Sequence, residues 1–325
     1  MKTIGKFGWK TGVVTGVITM ILMIAGCSQT SAEKLAISVE PNPQEQQVDI
    51  FIDGELYTSY IFSDKLDVLK KPVLWPLKAL DGTPITRGYP IDPIAGERVD
   101  HPHHIGYWFN YGDVNGYDFW NNSDAITGDR ANHMGTIKHQ EVTNTESGET
   151  GILEVNMDWN TPEGETLLTE HSRFVFTATP EARIIDRIIT LTAQDKKVNL
   201  NDNKEGLVGI RVTRELEHPS DGTVRVVGSD GETEEVSGTA GNPNGEYLTS
   251  EGVQGTAAWG TRAKWTKLSG LVDGTSVTLA IIDHPDNVGY PTYWHARGYG
   301  LFAANAWGQA AFSDGEEVLN YYIHA

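Results

Sequence analysis

The chain has 325 residues, 39% of them hydrophobic, with nine tryptophans, one cysteine and a formal net charge of −19. That is ample apolar material for a large core and argues against disorder over most of the length. The acidic balance makes nucleic acid a poor partner, because phosphate binding needs a basic footprint, and a single cysteine excludes internal disulfides and any thiol nucleophile or Cys-ligated zinc in the folded part.

That cysteine belongs to the first element. Lys2, Lys6 and Lys10 form a positive leader, residues 12–24 form an apolar run, and Ile24-Ala25-Gly26-Cys27 closes it. The run is shorter than the ~20 residues a bilayer requires, so residues 1–27 are predicted to be an export signal and not a spanning helix. The last four residues resemble the lipobox of bacterial lipoproteins. The resemblance implies cleavage before Cys27, lipidation of its thiol, and anchoring to the membrane through that lipid alone. Ser28, where an inner-membrane retention signal would show aspartate, points to the outer membrane of the cell envelope. Removing the leader leaves 22 basic against 44 acidic residues, a balance of −22. Residues 28–34 read as a tether, and residues 35–325 as a single domain.

From there the pattern is β. Residues 48–52 and 56–62 flank Asp53-Gly54, a hairpin signal, and Asp81-Gly82, Asn115-Gly116, Asp221-Gly222, Asp230-Gly231, Asn244-Gly245, Asp273-Gly274 and Asp314-Gly315 repeat the dipeptide along the chain. Between the turns apolar residues recur with period two: Leu153, Val155, Met157 and Trp159; Phe174 and Phe176; Val277, Leu279 and Ile281. Such alternation is the mark of antiparallel sheets with one buried face. A dozen or more strands exceed what one open twisted sheet holds, so the expected fold class is all-β, a large antiparallel β-sandwich. Residues 228–255, rich in Gly, Glu, Thr, Ser and Asn, read as a long loop.

Chemistry concentrates in residues 100–120, DHPHHIGYWFNYGDVNGYDFW. His101, His103 and His104 surround Pro102, which places them on extended or turning backbone. On a strand, His101 and His103 would share a face and His104 would point to the other, so at most two would converge. Imidazole exchanges protons near neutrality, and Asp100 is placed to orient one ring. Trp108 and Trp120 offer flat surfaces suited to stacking on sugar rings.

Further along, Glu170 precedes a strand as a candidate base, and Arg211 stands on an otherwise apolar strand. A second constellation follows: Asp283, His284 and Asn287, then Trp294, His295 and Arg297, then Asn305. His295 and Arg297, two apart, share a face on extended backbone, the arginine to clamp a carboxylate or hydroxyls and the histidine to move a proton. No nucleophile elbow, phosphate loop or dinucleotide fingerprint is present.

Several linked motifs, residues 71–77 (KPVLWPL), 81–84 (DGTP), 87–90 (RGYP), 96–98 (GER), 100–104 (DHPHH) and the run from Asp283 to Asn305, resemble the bacterial "methane oxygenase PmoA" family over residues 57–325. A genuine methane monooxygenase subunit spans the membrane several times, so the family's name does not carry over as an activity. The resemblance implies a β-sandwich and, from the usual setting of such proteins among sugar dehydrogenases and isomerases, carbohydrate metabolism.

The resulting expectation is a sandwich of the galactose-mutarotase-like supersandwich kind, its two His-rich constellations meeting on one concave face. The expected function is hydrolysis, elimination or epimerisation of a sugar. His103, His104 or His295 would act as acid or base, with Glu170 or Asp283 as partner. Arg87, Arg211, Arg297 and Asn305 would orient a carbohydrate substrate, and no cofactor is expected. Two alternatives stand beside it: a glycan-binding lipoprotein without catalysis, and a metalloprotein built on His101 and His103.

Overall fold

The β architecture starts with a two-residue turn. Asp53 and Gly54 both take positive φ, 49° and 82°, as a type I′ connection demands and as an Asp-Gly pair readily supplies. They join β2 (Gln47–Ile52) to β3 (Glu55–Ile61), with β1 (Ile37–Asn42) paired on the other edge of β2. The structure, a computed structural model, describes residues 33–308 and 321–323. The export signal, Cys27, most of the tether and the Asp314-Gly315 turn lie outside the described residues.

The chain continues through β4 (Val73–Trp75) and β5 (Tyr107–Tyr111), then a meander of β6 (Thr136–Glu146), β7 (Gly151–Asn160), β8 (Thr166–Thr179) and β9 (Ala182–Ala193). After β10 (Val198–Leu200) and β11 (Gly206–Arg211) come a ribbon of β12 (Thr223–Val227) and β13 (Thr233–Ser237), and a three-stranded sheet of β14 (Glu246–Thr249), β15 (Trp265–Val272) and β16 (Thr275–Ile282). The last strands are β17 (Tyr293–Ala296), β18 (Leu301–Asn305) and β19 (Tyr321–Ile323). Among the described residues the helical elements are short 3₁₀ turns, and no helix is long and apolar enough to cross a membrane.

The main sheet has eight strands in the order β1-β2-β3-β4-β5-β11-β18-β17. One face of it packs on the four-stranded sheet, where Phe109 meets Trp159 and Tyr60 meets Phe174, each pair at 5.9 Å between ring centroids. The same face packs farther along on the three-stranded sheet, with Tyr247 against Phe302 at 5.5 Å. Leu153, Val155, Met157, Trp159, Phe174 and Phe176 are all buried there, as the period-two reading expects. The protein is an all-β antiparallel sandwich.

The other face of the main sheet is also covered. Trp108, Leu301 and Ala303 join Ile61, Val73, Ile105 and Trp120 in a second apolar cluster beneath the loops that connect the strands. Because β5, β11 and β18 are buried on both faces, their sequences YWFNY, LVGIR and LFAAN read as nearly continuous apolar runs and not as alternation.

Two readings of the sequence change here. Residues 228–255 are not one long loop: they contribute β13 and β14. Asn244-Gly245 is not a positive-φ turn. Gly245 is required by close approach, since a Cβ there would lie 1.9 Å from the Leu216 carbonyl oxygen.

Candidate functional site

The outer face of the main sheet builds the site. Trp108 of β5, Gly209 of β11, Ala303 of β18 and His295 of β17 form one cross-strand row. The two middle positions are the smallest residues available. The Trp108 indole lies over Gly209, where an added Cβ would come within 2.5 Å of its ring. A low floor between a tryptophan and a histidine results, and the loops close over it.

The first of these loops is the histidine cluster. The His104 N–H donates to the His101 carbonyl at 2.9 Å, so residues 101–104 form a β-turn with Pro102 at its second position, where proline's fixed φ is favoured. A turn, unlike a strand, lets all three rings face one cavity. This overturns the expectation that at most two converge. His101 holds a positive φ of 40°, a strained conformation for a side chain with a Cβ.

The turn is held from below by arginines. The Arg87 guanidinium, 1% exposed, donates to the carbonyls of Arg98, Asp100, His101 and His104 and to the Asp100 carboxylate, at 2.8–3.1 Å. Arg211 donates to the Asp100 carboxylate at 2.7 Å and to His104 Nδ1 at 3.3 Å, and Lys71 donates to the His103 carbonyl at 2.7 Å. Burial pushes the Asp100 carboxyl up, but Arg211, the His101 hydrogen bond and Arg87 outweigh it and hold the group well below the usual carboxylate range. Burial also lowers the Lys71 amine to about 7.

A cavity of about 360 Å³ opens beside the turn, lined by His101, His103, His104, Trp120, Asn121, Lys204, Glu205, His295, Arg297 and Tyr299. His104 stacks with both His101 and Trp108, at 4.9 and 5.4 Å between centroids, and Trp120 stands edge-on to it. Burial drives the imidazole pKa of His103 down to about 2, that of His295 to about 3, and that of His104 well below its usual value. All three rings are therefore neutral at physiological pH.

Their tautomers follow from their partners. A guanidinium can only donate, so His104 Nδ1 is the acceptor and Nε2 carries the hydrogen. The Lys204 carbonyl can only accept, so His295 Nδ1, 3.0 Å from it, carries the hydrogen and Nε2 is the acceptor nitrogen. Glu205 Oε2 lies 3.6 Å from His295 Nδ1. Among the described residues, Nε2 of His103 and Nε2 of His104 are buried without a hydrogen-bond partner.

The remaining residues singled out in the sequence fall elsewhere. Glu170 points into the space between the sheets, where it binds Arg187 at 3.0 Å, Trp159 Nε1 at 2.9 Å and Ser172 at 2.5 Å. It shares parity with the buried Leu168, Phe174 and Phe176, which puts it on the wrong side of the main sheet to serve the cavity. Asp283 accepts from Asn287 at 2.8 Å and from the Thr292 N–H at 2.9 Å, shaping a loop, and His284 is exposed; none of the three lines the cavity. Trp294 alternates to the core face opposite His295. Trp108 is the floor and Trp120 a wall, both buried. Arg87 and Arg211 position the turn and do not reach the cavity surface. Asn305 donates to the Asn203 carbonyl at 2.8 Å and so holds the loop that presents Lys204 and Glu205. Arg297 is the one arginine in the lining.

Lys204, Glu205, Asn121 and Tyr299 were not singled out. The polar run of residues 201–205 immediately before an apolar strand was the available signal, since strand-end loops on a rigid sheet are where sites form. Among the described residues no group of three or more His, Cys, Asp or Glu side chains is placed to hold a metal ion. His101 and His103 stand edge to face at 5.7 Å, without a third ligand among those residues.

Fold and site together define an all-β sandwich protein with a histidine-lined cavity on the outer face of its main sheet. The chain belongs to the Family of unknown function (DUF6807), whose model matches residues 47–320. This corrects the resemblance drawn from the sequence motifs: the family matched is not the methane oxygenase PmoA family. No curated protein and no solved structure matches the chain.

Proposed function

We propose that the cavity is the active site of an enzyme that moves protons on a sugar, by elimination or epimerisation, in an exported lipoprotein held to the cell envelope through Cys27. The observation that carries the reading is a pair of neutral imidazoles of opposite polarity on one cavity: His295 with Nε2 as acceptor and His104 with Nε2–H as an unpartnered donor. His295 takes a proton from a carbon of the substrate. His104 donates a hydrogen bond to the oxygen on which charge then builds, a task for which a neutral imidazole suits. In an elimination the proton passes on to the departing oxygen. In an epimerisation His295 returns the same proton to the carbon after the substrate has turned its other face to the ring.

Hydrolysis is the weaker alternative. Glycoside hydrolysis ordinarily uses two facing carboxylates, and Glu205 is the one carboxylate among the cavity's lining residues.

Deuterium wash-in tests the proposal without presuming the product. The protein is incubated in D₂O with a panel of neutral, acidic and keto sugars, and carbon-bound exchange is followed by NMR. Exchange is expected with the wild type and a fall of roughly 10²–10⁴-fold in His295→Gln and His104→Gln, the usual contribution of acid–base groups. Wild-type rates in both variants, or no exchange with any sugar, would sink it.

A further inference from the structure

Among the described residues, the cavity holds one strong cation without an acid partner. Arg297 lines it, half-buried, with its backbone fixed by the tight turn between β17 and β18: its N–H donates to the Leu301 carbonyl at 2.8 Å and its carbonyl accepts from Gly300 at 3.0 Å. The guanidinium packs on the rings of Trp259 and Tyr299, at 5.3 and 5.5 Å from their centroids. Among the described residues it has no hydrogen-bond acceptor and no ion-pair partner. The contrast with its neighbours is sharp. Arg87, Arg98, Arg211 and Arg214 each donate to a carboxylate or a carbonyl, and Lys204 is paired with Glu205. In a chain with 44 acidic residues, a guanidinium packed on two aromatic rings and given no acid among the described residues is a receptor kept open.

We infer that Arg297 is the oxyanion receptor of the cavity and that the ligand is a small sugar acid, its carboxylate bound side-on by the guanidinium. This rests on the sugar reading of the site given above. A planar fork matches a carboxylate with two parallel hydrogen bonds. A monoanion is favoured over a phosphate because a single cation is available, Glu205 shares the cavity, and the surrounding protein is strongly acidic. The placement also makes chemical sense. Arg297 lies two residues from His295, and a carboxylate neutralised by a guanidinium acidifies the carbon–hydrogen bond beside it, the bond an imidazole would otherwise be too weak a base to open.

Calorimetric titration with hexuronates, their parent hexoses and the hexose 6-phosphates, on wild type, Arg297→Lys and Arg297→Met, tests this apart from any turnover. The wild type is expected to bind a hexuronate roughly 10- to 100-fold more tightly than the parent hexose, the scale of a bidentate charge-assisted pair. Arg297→Met should abolish the preference and Arg297→Lys should keep only part of it, with unchanged melting temperatures excluding a merely structural role. Equal affinity for acid and parent hexose, or a preference that survives Arg297→Met, overturns the inference while leaving the sugar reading intact. Tighter binding of the 6-phosphate overturns the carboxylate assignment. No binding of any sugar overturns both readings.

Discussion

At the residue scale the site depends on which nitrogen of each imidazole carries hydrogen, and that is decided by partners outside the cavity. Arg211 forces His104 into the Nε2–H form and the Lys204 carbonyl forces His295 into the Nδ1–H form. Burial keeps both rings, and His103, neutral. The expected outcome by ¹H–¹⁵N NMR is opposite tautomers for His104 and His295, with no titration of these three rings between pH 8 and about 5. A protonation midpoint near 6.5 for any of them would contradict the burial described here. The identities of the cluster residues were legible, since three histidines in four positions stand out. Their convergence was not, because it turns on one hydrogen bond, His104 to His101, which changes a strand's alternation into a turn.

At the element scale, strand parity assigns roles more reliably than residue type. Glu170 is a carboxylate on a strand, and it sits in phase with Leu168, Phe174 and Phe176, which places it in the inter-sheet core with Arg187. Arg187 packs among Tyr107, Phe109 and Phe174, so removing its partner leaves a buried, unpaired charge. Glu170→Gln is therefore expected to destabilise the protein by about 3–5 kcal/mol in urea unfolding while the folded fraction keeps wild-type chemical shifts for His103, His104 and His295. A loss of exchange activity without a loss of stability would return Glu170 to the site. The same parity rule separates Trp294 from His295, adjacent in sequence and on opposite faces of β17.

At the scale of the whole molecule, burial of three neutral histidines couples stability to pH. In the unfolded chain each ring takes up a proton near pH 6.5, whereas in the folded protein the midpoints for His103 and His295 lie at about 2 and 3. The unfolded state thus binds more protons below 6.5, and stability falls as pH drops from about 6.5 towards 3, by roughly 1 kcal/mol per histidine per pH unit. Urea midpoints should decline from about pH 6.5 to 4, less steeply in His103→Gln, and should still climb between pH 7 and 8, where the buried Lys71, lowered to about 7, has lost the proton that the unfolded chain keeps. Parallel curves for variant and wild type would show that His103 is not held neutral by the fold.

The amino-acid order by itself determined the class of fold, because period-two alternation and Asp-Gly or Asn-Gly turns are local features that the backbone must satisfy wherever they occur. It also marked the two segments that hold the cavity histidines, since clustered titratable groups are conspicuous without coordinates. Only the tertiary structure decided which of the marked residues share a site. The strand order β5-β11-β18-β17 brings Trp108 and His295 into one row across Gly209 and Ala303, and the same order delivers Lys204 and Glu205 from an unremarkable polar run. Non-local pairing of this kind is set by which faces can be buried together, a property of the assembled sheets that no single stretch of the chain contains.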